Sequence, residues 1–148
     1  MKTSPIKQMA LTALLVASST VAFSQTKTLR FEAEKSSEAK GVTAKDLGKE
    51  TVIKGFSNGS WIKFSDVNFN EMSKINFRAS SAATDAVLEI RLDNSTGPLI
   101  GTVQIVPKSW AVFKETSTKL LKVAGKKDMV IVAVAGGVIL DWFELSAP

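Results

Sequence analysis

The chain has 148 residues, 19 basic against 14 acidic for a net charge of +5, and neither histidine nor cysteine. The absence of cysteine excludes disulfides, thiolate metal sites and a cysteine nucleophile. The absence of histidine excludes His-ligated zinc and a Ser-His-Asp triad.

In chain order, Lys2 and Lys7 precede the apolar run Met9–Ala17, and small residues follow at Ala22 and Ser24. A charged start, a short apolar stretch and a small-x-small site make a secretory signal peptide. The run is too short to span a bilayer, which takes roughly 20 residues, so no membrane span is expected. Cleavage after Ser24 would give a mature chain of Gln25–Pro148, secreted or periplasmic, long enough for one domain with a sizeable core. Without Lys2 and Lys7 the net charge falls to +3, and Lys126-Lys127 is the only basic pair. Nucleic-acid recognition would want a dense basic patch interleaved with aromatics, so no nucleic-acid partner is expected.

Beyond the signal the pattern has period two. Leu29, Phe31 and Ala33 alternate with Arg30, Glu32 and Glu34; Ile75, Phe77 and Ala79 with Asn76, Arg78 and Ser80; Leu88, Ile90 and Leu92 with Glu89, Arg91 and Asp93. Such alternation marks strands with one buried face. Met129–Ala135 and Val138–Leu140 are continuous apolar runs, as in central strands. Turn signals stand at Asn58-Gly59, Asn94–Pro98, Gly125–Asp128 and Gly136-Gly137. The polar stretch Lys35–Lys49 reads as a long loop with at most a short strand. No segment after the signal has helical periodicity. The expected fold is all-β, one two-sheet sandwich of the jelly-roll type.

Within "VILDWFEL" (Val138–Leu145), Asp141 is a carboxylate flanked by bulky apolar residues. An unpaired buried charge is costly, so it must be neutralised, exposed or matched by a cation. Glu32 and Glu34, two apart on the first strand, share a face. If the first and last strands are neighbours, the three carboxylates converge and call for a hard cation, with calcium favoured by the oxygen-only donors. The same glutamates also read as solvated outer-face charges. As a glycosidase pair, two of the three would have to stand about 5–5.5 or about 6.5–9.5 Å apart.

Five stretches carry a more specific signal: "FEAE" (Phe31–Glu34), "NGSWIKF" (Asn58–Phe64), "LEIRLDNSTGPLIGT" (Leu88–Thr102), "SWAVF" (Ser109–Phe113) and "LDWFEL" (Leu140–Leu145). In this order and spacing the chain resembles carbohydrate-binding module family 6, over essentially all of Gln25–Pro148. The resemblance implies a non-catalytic jelly roll binding a β-linked polysaccharide or oligosaccharide, beside other proteins of a polysaccharide-degrading system. It also implies a structural calcium on Glu32, Glu34 and Asp141. Trp110 matches one ring of the family's loop-edge sugar site. The second aromatic falls on Gly55, with Phe56 one place off, and the site's asparagine falls on Ile139. Lys54, Phe56, Asn58 and Lys108 are the candidate replacement contacts. Trp61 matches the tryptophan of a second cleft on a sheet face, where Glu89 and Arg91 would supply polar contacts unless they pair with each other. Trp142 reads as core. The alternative is a structural or interaction sandwich whose glycan site has been lost.

Overall fold

The computed structural model describes residues 25–81, 86–106 and 109–148, so the signal segment 1–24 and Lys108 lie outside the described residues. Among the described residues, eleven strands form two antiparallel sheets: β1 (Thr28–Glu32), β2 (Glu38–Lys40), β3 (Thr43–Asp46), β4 (Thr51–Ser57), β5 (Trp61–Asn68), β6 (Lys74–Ser80), β7 (Ala86–Leu92), β8 (Leu99–Ile105), β9 (Lys114–Lys119), β10 (Lys126–Ala135) and β11 (Gly137–Ser146). One sheet runs β3-β4-β11-β6-β9, with β1 also on β11; the other runs β2-β5-β10-β7-β8. The all-β sandwich is as expected, and both apolar runs are central strands. The polar stretch after β1 holds two short strands, β2 and β3. The one helical element among the described residues is a single 3-10 turn, Ala33–Lys35. No described helix is long and apolar enough to cross a membrane.

The inner faces interdigitate as the alternation dictates. Ile75, Phe77 and Ala79 of β6 meet Leu88, Ile90 and Leu92 of β7 in one core with Met129, Ile131 and Ala133 of β10. A phenylalanine cluster closes one side: Phe31 stacks on Phe143 with ring centroids 5.1 Å apart, and Phe64 meets both edge-on. Such ring pairs add roughly 0.5–1.5 kcal/mol each beyond their buried area. They fix β1 against β11, pairing Glu32 with Trp142.

Two of the bulges that break the period-two rule bear on function. On β11, Val138 and Leu140 point inward, and so do Phe143 and Leu145, so the inward parity switches between them. The register with β6 shifts between Leu140 and Trp142, which leaves Asp141 and Trp142 together opposite Arg78. On β4, Ile53 and Phe56 both point inward, three apart, because the pairing with β11 shifts by one residue there. Gly55 absorbs that bulge with a φ of +73°, a left-handed conformation that glycine adopts without penalty. Ser60 Oγ lies 3.3 Å from the Gly41 carbonyl and 3.4 Å from the Gly55 carbonyl, and its one O–H, shared between them, ties this bulge to the β2–β3 turn.

Candidate functional site

The β11 bulge explains how Asp141 fits into an apolar strand. Both bulge residues face outward from the core, and Asp141 is buried beneath its neighbours on that outer face. Arg78 of β6 donates from Nη1 to Asp141 Oδ2 and, at 2.8 Å, to Glu50 Oε2. The guanidinium also lies over the Phe113 ring, 4.7 Å from its centroid. Burial, reinforced by the charge of Glu50, holds the Asp141 carboxyl above the ordinary carboxylate range although Arg78 pulls the other way. One cation therefore serves two carboxylates.

Glu32, Glu34 and Asp141 border one cleft of about 390 Å³, together with Glu50 and Arg78. The expected adjacency of first and last strands thus brings all three to one place. Glu34 stands on the 3-10 turn after β1 rather than on the strand, because the chain leaves the sheet at Ala33 to bury that methyl group. Glu32 Oε1 accepts from Arg30 Nε at 3.3 Å, and Arg30 in turn covers the Trp142 ring at 3.9 Å. Trp142 is accordingly an outer-face residue capped by a cation and not a member of the central core. Glu34 Oε2 is buried with no hydrogen-bond partner. As these side chains stand, no group of three or more acidic residues among those described is arranged to hold a metal ion. The donor set nonetheless fits a hard cation: every donor is a carboxylate oxygen, and one is buried and unsatisfied.

On the other side of Arg78 and Glu50 lies a second cleft, of about 520 Å³. Its walls are apolar, from Trp110, Phe113, Ile139, Val52 and Leu47, and Lys45, Lys54, Arg78 and Glu50 supply charge. Trp110 is 46% exposed. Its placement is nevertheless built: Ser80, itself buried, donates from Oγ to the Trp110 carbonyl at 3.1 Å. Val112 N–H donates to the Ser109 carbonyl and closes the turn that carries the ring. The indole rests over Gly137, where even a Cβ would meet its Cη2 at 3.2 Å.

The other residues singled out in the sequence fall as follows. Ile139 lines the Trp110 cleft where an asparagine was the family expectation. Gly55 sits in the β4 bulge, where a tyrosine would have to adopt φ +73°. Phe56 is fully buried, turned inward by that bulge, so its ring offers no face to a sugar. Asn58 is exposed in the β4–β5 turn. Trp61 and Glu89 flank Val132 on the outer face of the second sheet. Arg91 is on the same face, but its Nε and Nη2 each lie 2.7 Å from Glu89 Oε2, and its Nη1 donates to the Gly97 carbonyl at 2.7 Å. The ion-pair reading of Glu89 and Arg91 therefore describes them. Arg78 and Glu50 were missed; the signal available was Arg78 as an outward cation on an alternating strand, with nothing local to say which acids it would meet.

Comparison with known proteins agrees with this fold. Endo-1,4-beta-xylanase A of Thermoclostridium stercorarium is 29% identical over 120 residues, covering 78% of this chain and 23% of that protein. The chain therefore spans about a quarter of the length of the curated relatives it matches. A family 6 carbohydrate-binding module of Clostridium cellulolyticum, solved with xylose, superposes with a TM-score of 0.73 at 28% identity, covering 80% of this chain and 96% of that one. A module of Clostridium stercorarium, solved with cellobiose, gives a TM-score of 0.75 at 22% identity, with coverage of 81% and 94%. The family model described as carbohydrate binding module (family 6) matches residues 32–147, and this chain belongs to that family.

Proposed function

We propose that the protein is an exported, non-catalytic module that binds a β-linked polysaccharide in the Trp110 cleft and is stabilised by calcium. The observation that carries this reading is Trp110 itself. A large aromatic left exposed would ordinarily be covered, yet here the backbone around it is fixed by Ser80 and its ring is seated on Gly137. An indole face beside polar groups suits the C–H face of a pyranose. Affinity electrophoresis in xylan and in mixed-linkage β-glucan, with Trp110→Ala alongside the parent, tests it. Retention lost with Trp110 supports the reading, and parent mobility unchanged in every polysaccharide defeats it.

The non-catalytic part is supported by membership of a family of binding modules and by the commitment of Asp141, one of the candidate acids, to Arg78. Release of reducing sugar from a bound polysaccharide would overturn it. Calcium would be held by Glu32, Glu34 and Asp141, where it would neutralise Glu34 Oε2 and relieve the excess of carboxylates over Arg78. Export rests on the sequence of residues 1–24 and predicts Gln25 as the first mature residue, which N-terminal sequencing of secreted material decides.

A second reading, an interaction sandwich without glycan binding, is favoured by two positions. Gly55 and Ile139 replace the second aromatic and the asparagine that the family resemblance calls for, and neither offers a sugar a hydrogen-bonding side chain.

A further inference from the structure

We propose that the Trp110 cleft selects an anionic glycan, one carrying carboxylate or sulfate groups, with Lys45 and Lys54 as the recognising cations. This rests on the reading of that cleft as the sugar site and names the substrate class it takes.

The floor and walls leave little to hydrogen-bond a neutral sugar: Val52, Ile139, Phe113 and Leu47 present hydrocarbon. Three cations line the cleft against one carboxylate, Glu50, and that carboxylate is already bonded to Arg78 at 2.8 Å. Lys45 and Lys54 are exposed, and neither has an ion-pair partner among the described residues. Their placement follows from register. Lys45 of β3 pairs with Val52 of β4, and Lys54 lies two residues on from Val52. All three therefore share the face that forms the cleft wall. The result is an aromatic platform faced by two ammonium groups on adjacent strands. Ammonium groups with unengaged N–H donors form charge-assisted hydrogen bonds to carboxylate and sulfate oxygens, stronger than those made to hydroxyls. A pyranose seated on Trp110 with an acidic substituent directed at β3 and β4 satisfies both halves of the site.

The test is binding of the parent, Lys45→Gln with Lys54→Gln, and Trp110→Ala to three probes: the β-linked polymannuronate for carboxylate, carrageenan for sulfate ester, and an unsubstituted xylan as the neutral control. Polyglutamate serves as a polyanion without sugar. Both lysines are exposed, so unchanged melting curves should certify the folds. The expected result is preference for one acidic glycan over xylan, weakened roughly tenfold by the double lysine variant and weakened again by salt as the charges are screened. Trp110→Ala should weaken the same binding by roughly five- to 150-fold. Preference for polymannuronate or for carrageenan identifies the acidic group. Binding of xylan that needs Trp110 but is indifferent to the lysines overturns this inference and leaves the sugar-binding reading standing. Equal binding of polyglutamate and the acidic glycans, indifferent to Trp110, overturns it as unspecific charge attraction. Failure to bind any of the three glycans overturns this inference, and failure to bind mixed-linkage β-glucan as well defeats the sugar-binding reading.

Discussion

Gly137 lies beneath the edge of the Trp110 indole, so close that a Cβ at 137 would stand 3.2 Å from ring atom Cη2. The platform is therefore set by the first residue of β11, a strand that otherwise serves the core. Gly137→Val should push the ring off its seat and weaken glycan retention, while the melting temperature changes little because Trp110 is at the surface. Affinity electrophoresis beside a thermal melt checks this, and undiminished retention would detach ring placement from binding.

Trp110→Ala itself should cost about 1–3 kcal/mol of binding, by analogy with other aromatic stacking platforms. Trp61→Ala is the control on the opposite sheet. Its indole is half-buried beside Val132, and the nearby Glu89 and Arg91 are bonded to each other. Titration of both variants with oligosaccharide should show the loss at Trp110. A loss confined to Trp61→Ala would move the site to the sheet face.

Ser80 tests the anchoring of the loop. Its buried hydroxyl donates to the Trp110 carbonyl, and Ser80→Ala should remove about 1 kcal/mol of stability. It should also raise hydrogen exchange across residues 109–113 and lower glycan affinity. A variant with parent exchange rates would show the loop to be held by other means.

For the metal, chelation should lower the melting temperature and calcium restore it. A ligand at a hundredfold excess over Kd stabilises the folded state by about 2.7 kcal/mol. Glu34→Gln should abolish the calcium response and yet leave the metal-free protein at least as stable, because it makes neutral a group whose Oε2 has no hydrogen-bond partner. Differential scanning calorimetry with and without calcium decides between this and a merely structural glutamate, whose loss would lower stability under both conditions.

Acid sensitivity should come in part from Asp128. Its carboxylate accepts from the Asp66 backbone N–H at 3.2 Å and lies 3.3 Å from Lys63 Nζ, and these hold it below its ordinary value of 3.8. A depressed carboxylate stabilises the fold above its unfolded pKa, and that contribution is lost as pH falls through the folded pKa. Asp128→Asn should therefore flatten the decline in stability below pH 3.8. Carbon-detected NMR titration of the parent should place the Asp128 midpoint below that value.

The sequence by itself determined most of the strands and their inner faces, though not β2 and β3 in the polar stretch after β1. Period-two alternation is a local property: Ile75, Phe77 and Ala79 point inward whatever they meet. It also marked Glu32, Glu34 and Asp141 as belonging together and Trp110 as the candidate platform, through motifs whose order is visible along the chain. Only the tertiary structure decided matters that depend on register. A bulge shifts parity by one, so Phe56, which a reading along β4 leaves as a candidate contact, turns into the core. The bulge at Asp141 and Trp142 turns both outward against Arg78. Arg78 and Glu50 are 28 residues apart, and Arg78 and Asp141 are 63 apart, so no local pattern announces their contact. The wall they form between the acidic cleft and the Trp110 cleft exists because β6 and β4 flank β11 in one sheet. Strand order is settled by which pairings bury the two inner faces together, and that is a property of the whole sandwich and not of any one segment.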